Sequence, residues 1–110
     1  MGDVIAERVL YLNDIKKIRI VIGHPQFISE QYGYFCPYRI IGGRNRKLRR
    51  APGGLDALHA IQLAMEKIAM DIYLLNEANG NALRWEGGSS GDTGLPLSDR
   101  TRVIMEKGNR

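Results

Sequence analysis

Residues 55–76 read LDALHAIQLAMEKIAMDIYLLN, and this stretch decides the fold. Large apolar side chains recur in it at alternating spacings of three and four residues, which is the period of one helix face. Asp56 near its start suits the positive end of a helix dipole, and Asn79-Gly80 marks a turn after it. The stretch therefore predicts one long amphipathic helix. Its expected buried stripe consists of Leu58, Ile61, Met65, Ile68, Ile72 and Leu75.

Two segments at the start of the chain have the pattern of a β-hairpin. Residues 4–12, VIAERVLYL, are rich in β-branched and aliphatic side chains. In residues 16–23, KKIRIVIG, three isoleucines alternate with lysine, arginine and valine, the period of a strand with one buried face. Asn13-Asp14 lies between the two segments, and both residue types favour turns. We therefore expect two antiparallel strands.

A third strand is expected over residues 34–41, YFCPYRII. Pro37 removes a backbone donor from its middle, so this is either an edge strand or a strand broken by a bulge. Residues 25–33 have the composition of a loop or irregular crossing. After the helix, residues 82–86, ALRWE, are expected to form a short fourth strand with Trp85 as an anchor.

The expected element order is thus β-β-β-α-β. The economical core for this order is one long helix packed on a face of a small antiparallel sheet of three to four strands, an α+β fold. Residues 1–97 make one domain, and residues 87–94 make a flexible loop within it. The tail, 98–110, is either a short helix capped by Ser98 or disordered.

The ordering of these segments also resembles a known family. Its most distinctive run is GLDALHAIQLA, Gly54 to Ala64, preceded by an early IAER strand and followed by a Trp strand and a GLP. The order is similar to that of a group of short bacterial proteins known only as a domain of unknown function. The resemblance covers Ile5 to Pro96 and implies a small bacterial or phage-associated protein. It implies no activity and no functional residues, and the basic loop and the tail are not features of that group.

Composition excludes several classes of protein. The chain has 110 residues and one cysteine, so no internal disulfide supports the fold, and a reducing cytoplasm is expected. No apolar run approaches the roughly 20 residues that span a bilayer, and the N-terminus lacks the pattern of a secretory signal. No motif predicts a cofactor. We expect a globular cytoplasmic protein without a membrane partner.

The charge of the chain is concentrated in one segment. The net charge is +4, and residues 44–50 carry five cations, which leaves −1 for the rest. Arginine side chains and the N–H groups of a glycine-rich helix start both attract phosphate oxygens. The alternatives are a phosphate or nucleic-acid site and a solvated connection between strand and helix. The candidate anion-binding residues are Arg44, Arg46, Lys47, Arg49, Arg50, Gly53 and Gly54.

The helix predicts a second kind of site. Leu63, Met70 and Leu74 fall opposite the expected buried stripe, at about 100° per residue. One helix on one sheet has no reason to bury them, so a loop, the C-terminal tail or a second protein covers them. We expect self-association or a protein partner, through this row or through the edge of the first strand.

Catalysis and metal binding find little support in the sequence. Cys36, His24 and His59 show no spaced ligand motif, so no metal site is expected. A lone cysteine with a histidine elsewhere is the minimum for a nucleophilic pair. Cys36 lies in an expected strand, however, where a free cysteine is usually a small buried apolar residue. The expected function is therefore a non-enzymatic interaction or accessory protein.

Overall fold

A computed structural model describes residues 3–42, 49–95 and 97–108. Within these ranges the chain forms one antiparallel sheet, a long helix over one face of the sheet, and a shorter C-terminal helix. The elements are β1 Val4–Leu12, β2 Ile15–Gly23, β3 Gln26–Ser29, β4 Gly33–Ile41, β5 Arg49–Gly54, α1 Ala57–Ala78 and α2 Asp99–Gly108. The expected α+β class is confirmed.

The strand β4 lies at the centre of the sheet. On one side it pairs first with β3, through residues 33–35, and then with β2, through residues 38–41. The strand β5 pairs with residues 34–38 of β4, which overlaps both of those ladders, so β5 must lie on the opposite side. The strand β1 pairs with β2. Among the described residues, β1, β3 and β5 each pair with a single strand and therefore have an open edge.

Pro37 lies inside this central strand, and the expectation of an edge strand was wrong. On the β2 and β3 side, the pairing with β2 ends at Tyr38 and the pairing with β3 begins at Phe35. Pro37 falls between the two ladders, where its missing N–H removes no bond on that side. The ladder with β5 is irregular between Tyr34 and Cys36, which agrees with the expected bulge.

Other details of the sheet differ from the expectation. Residues 26–29 form β3 rather than a loop, because the long strand β4 extends beyond β2 and pairs with them. Residues 49–54 form β5 rather than the end of a connection. Residues 82–86 are not a strand. Arg84 exchanges two backbone hydrogen bonds with Tyr11, of 2.8 and 3.0 Å, but the next N–H, that of Trp85, turns to Asp92 O.

The helix α1 lies over β4 and β5, and small residues set that position. A Cβ atom on Gly54 would stand 2.8 Å from the backbone of Ala60, so only a glycine permits this approach. The buried helix residues are Ala60, Ala64, Ile68, Ala69 and Ile72. The expected stripe was therefore wrong in part. Leu58 is 66% exposed, because the close contact through alanines turns its flank away from the sheet.

Candidate interaction surface

The start of α1 is already occupied by an acidic side chain. Asp56 is the N-cap, and its Oδ1 accepts a hydrogen bond of 2.7 Å from the N–H of His59. In return, the N–H of Leu55 donates to Nδ1 of His59 at 3.0 Å. One backbone donor of the first turn, and one just before the N-cap, are thus satisfied within the chain. A phosphate at this helix start would have to lie beside the Asp56 carboxylate.

The candidate anion-binding residues are only partly described. Arg44, Arg46 and Lys47 lie outside the described residues, and Arg49 and Arg50 lie on β5. Gly53 has a φ of +84° with open space around it, whereas Gly54 is buried against Ala60. The role that the structure gives to Gly54 is therefore helix packing.

The row predicted opposite the buried stripe is not uniformly outward. Leu63 is half-buried and packs against the core cluster, and Met70 is also half-buried. Leu74 is 47% exposed. The row therefore presents less apolar surface to a partner than its sequence positions predict.

Cys36 and the two histidines each have separate local contacts. Cys36 is fully buried, and its Sγ donates to Gly23 O at 3.5 Å. Burial raises the pKa of the Cys36 thiol, which disfavours the reactive thiolate. Nδ1 of His24 donates to Pro25 O, and Nδ1 of His59 accepts from Leu55. In the described part of the chain, no three ligating side chains converge on a possible metal position.

The segment after α1 covers the part of the sheet that the helix leaves open. Leu83 is fully buried, and Trp85 and Leu95 pack against the same core cluster. Arg8 holds this segment: its guanidinium lies 4.6 Å from the centre of the Trp85 ring, and its Nη1 donates to Gly94 O at 2.9 Å. A Cβ on Gly94 would lie 2.9 Å from both partners, so a glycine is required here.

This cover is incomplete and leaves an apolar groove of about 120 Å³ between α1 and the first two strands. Its strand side is lined by Ala6, Glu7, Arg8, Ile20 and Ile22. Met65 and Ile68 line its helix side, and Leu95 closes one end. Because α1 lies over β4 and β5, neither helix in the described part of the chain fills this space above β1 and β2.

Exposed apolar side chains continue from the groove toward the start of α1. Leu58 and Met65 lie on one flank of α1, and Met65 borders Ile20 and Ile22 of β2. Leu55 precedes the N-cap of the helix and is 85% exposed. Phe27 on β3 is 58% exposed, and its ring meets that of Tyr34 edge-on at 5.3 Å. Tyr34 in turn pairs with Gly54, beneath the first turns of α1. We call Phe27, Leu55, Leu58 and Met65 the apolar strip.

Sequence reasoning missed this surface. Three of the four strip residues belong to segments that the pattern assigned to the core or to the helix start, and the fourth to a loop. The available signal was the pair Ala60 and Ala64, four residues apart and preceded by Gly54. Small residues at this spacing mark the side on which a helix approaches its neighbour most closely, which places Leu58 and Met65 on a flank.

The open edges of β1 and β5 are less suited to pairing with another chain, and β3 has only four residues. The ladder of β1 shifts between Val4 and Ala6, and Arg84 covers its edge at Tyr11. Pro52 lies on β5, and Gly53 there has a positive φ. Bulges, prolines and covering segments are the usual protection of sheet edges. The strip is therefore the better candidate for an interface.

A second cavity, of about 350 Å³, lies between the C-terminal half of α1, residues 91–95 and α2. Its lining includes Tyr73, Asp92, Arg102 and Glu106. Acidic and basic groups are mixed in it, so its charges do not select one class of ligand. In the described part of the chain, neither helix combines the length and apolar character that crossing a bilayer requires.

The fold and the surface together define a small α+β protein in which one helix covers half of an antiparallel sheet. The chain belongs to the family described as Domain of unknown function (DUF6968), whose model matches residues 6–97. No curated protein and no solved structure matches the chain.

Proposed function

We propose that this chain is a non-enzymatic interaction protein that binds another polypeptide through the apolar strip and the adjoining groove. The observation that supports the proposal is the concentration of exposed apolar side chains on one flank of α1 and on β3. Scattered exposed apolar residues are normal on any protein, but a contiguous patch beside an open groove is typical of an interface. Anchoring side chains that enter pockets usually carry most of the binding energy.

The proposed setting is the bacterial cytoplasm. The reduced, fully buried Cys36 suits a reducing compartment, and the order of segments resembles that of short bacterial proteins. The absence of an enzymatic role is part of the same proposal. It is supported by the raised pKa of Cys36 and by the separate contacts of the two histidines.

Co-purification from the native host tests this function. A tagged copy of the chain is expressed in cells that also express an untagged copy, and the polypeptides that purify with the tagged copy are identified. The test variant is Leu58→Asp, which places a charge in the strip. The matched control is Ile15→Asp, because Ile15 is 70% exposed but lies at the turn between β1 and β2. Both substitutions are on the surface, so the free energy of unfolding should change by no more than about 0.5 kcal/mol.

We expect the wild-type chain and the Ile15→Asp control to retain the same polypeptide, in fixed stoichiometry, and Leu58→Asp to lose it. Recovery of the same polypeptide by all three chains would refute the strip as the binding surface. Recovery of none by the wild-type chain would refute the proposed function.

An alternative is a nucleic-acid- or phosphate-binding accessory protein that uses the basic residues 44–50. The observation that favours it is that these residues carry all of the excess positive charge of the chain. Two of them, Arg49 and Arg50, belong to the strand β5. Binding of this kind is electrostatic and depends strongly on salt.

A further inference from the structure

We infer that the polypeptide bound by the strip is a second copy of this chain, and that each copy inserts Leu58 into the groove of the other. The inference rests on the proposed function, because it names the partner of the same surface. It follows from the shape, the size and the charge of that surface, which are argued in turn below.

The surface is complementary to itself. Leu58 projects from α1, and Met65 on the same flank borders the groove. Seven residues separate them, about 10 Å along the helix axis at 1.5 Å per residue. A two-fold axis that passes between Leu58 and Met65 brings each Leu58 to the groove of the other copy, with the two α1 helices antiparallel. Such a contact is isologous and closed, so it forms dimers rather than fibres.

The groove has the size of one side chain. An apolar cavity of roughly 150 Å³ holds a group of the size of benzene. The groove, of about 120 Å³, therefore suits one branched aliphatic side chain. Ala6 is the small residue that keeps its strand side open. Leu58 provides a side chain of the required size and exposure on every copy of the chain.

The charges of the surface permit a contact between identical chains. Two copies of a chain with a net charge of +4 repel each other, so their interface has to exclude cations from its centre. The exposed residues Leu58, Gln62 and Met65 on this flank of α1 are uncharged, and the exposed Asp56 lies before them at the N-cap. Glu7 and Arg8 border the groove. The Glu7 carboxylate pairs with Arg19 at 2.7 Å, and the Arg8 guanidinium is directed to Trp85 and Gly94 O.

Complementation between two variants tests the arrangement. Leu58→Asp removes the inserted side chain and keeps the groove, whereas Ala6→Phe fills the groove and keeps Leu58. Sedimentation of each variant alone should show a dissociation constant at least about 100-fold above that of the wild-type dimer, roughly tenfold for each of its two contacts. An equimolar mixture should recover heterodimers, because one intact contact remains between unlike chains. Ile15→Asp should dimerise as the wild-type chain does.

Crosslinking gives a second readout that needs no change in the strip or the groove. Gln62 lies near the expected two-fold axis, so Gln62→Cys should crosslink to its copy with a short bis-maleimide. Lys67→Cys, equally exposed but on another side of α1, should not. The native Cys36 is fully buried and should not react.

A wild-type chain that stays monomeric at high micromolar concentration would overturn this inference. So would equal crosslinking at positions 62 and 67, or a mixture of variants that does not associate. If the chain is monomeric but retains a different polypeptide in a Leu58-dependent manner, the proposed function stands and only the identity of the partner changes.

Discussion

Gly54 controls how closely α1 approaches the sheet. A methyl group at this position would lie 2.8 Å from the Cα, Cβ and N atoms of Ala60, closer than non-bonded atoms pack. Backbone atoms on both sides of the contact leave little room for relaxation. Gly54 has a hydrogen where other residues have a Cβ. The position of α1 over β4 and β5, and with it the open groove, therefore depends on a glycine at this position.

We predict that Gly54→Ala lowers the free energy of unfolding by about 1–3 kcal/mol, as overpacking of a core usually does. Ala60→Gly should cost about 1 kcal/mol, the difference in helix propensity. The double variant should be more stable than the sum predicts, because the second change relieves the first. Urea denaturation measures all three values.

The control for this cycle is Gly80→Ala, at a residue with a φ of +71° and no neighbouring atoms. Its cost comes from backbone conformation alone, so it should add to that of Ala60→Gly within about 0.5 kcal/mol. Additivity of Gly54→Ala and Ala60→Gly to the same precision would contradict the close contact.

The segment 82–95 has almost no regular structure and depends on contacts with β1. The guanidinium of Arg8 stacks on the ring of Trp85. It also donates hydrogen bonds to the carbonyl oxygens of Gly94 and Thr93. Asn76 of α1 holds the other side, since its side chain donates to Gly91 O and accepts from the N–H of Leu83. Segment 82–95 is thus held by these side chains together with the single backbone pair of Arg84 with Tyr11.

We predict that Arg8→Met lowers the free energy of unfolding by about 1–2 kcal/mol, because a part-buried cation–π contact and a hydrogen bond are lost. The chain has one tryptophan, so the emission of Trp85 reports on this segment directly. We expect the emission maximum of Trp85 to shift to longer wavelength, because water reaches the ring. The emission spectrum is recorded for the folded variant, and chemical denaturation gives its free energy of unfolding.

Arg19→Met is the matched control for Arg8→Met. Arg19 makes an exposed ion pair of 2.7 Å with Glu7, and exposed pairs contribute little. It should change the free energy of unfolding by less than about 1 kcal/mol and leave the tryptophan emission unchanged. Equal effects of both substitutions would show that Arg8 does not hold the segment.

Local pattern was sufficient to predict the helix and the first hairpin. The period of α1 and the alternation of Ile18, Ile20 and Ile22 arise from burial of one face, which each element shows by itself. The short strand β3 and the strand status of residues 49–54 depend on pairing with β4, and no local signal contains that information. Pro37 misled the prediction because a proline can lie within this central strand only where the ladders with β2 and β3 leave a gap.

The candidate surface could not be predicted for a related reason. Whether Leu58 is buried depends on which side of α1 meets the sheet, and the apolar stripe alone does not determine this. The contact of Gly54 with Ala60 shifts the helix toward β5, and residues 82–95 cover only part of the remaining sheet. Both are contacts between residues far apart in the chain or in separate elements.

The distribution of charge over the whole molecule separates the two functions. Outside residues 44–50 the chain has a net charge of −1, so the remaining surface offers a polyanion little attraction. Binding of nucleic acid, if it occurs, must therefore depend on the five cations of that segment. Binding of a polypeptide to the apolar strip is expected to be insensitive to them.

We predict that changing all five of these cations to serine abolishes any binding of short DNA duplexes, whereas association through the strip persists. If each cation neutralises one phosphate, the logarithm of the binding constant should fall with the logarithm of salt concentration with a slope of about −4.5, or −0.9 per contact. Fluorescence anisotropy at several salt concentrations measures the slope.

The matched control changes five exposed cations elsewhere to serine, so the net charge falls by the same amount. These cations are Lys16, Lys17, Lys67, Arg102 and Lys107. An equal loss of affinity in both variants would mean that only net charge matters, and undiminished binding after loss of the five loop cations would exclude them as the site.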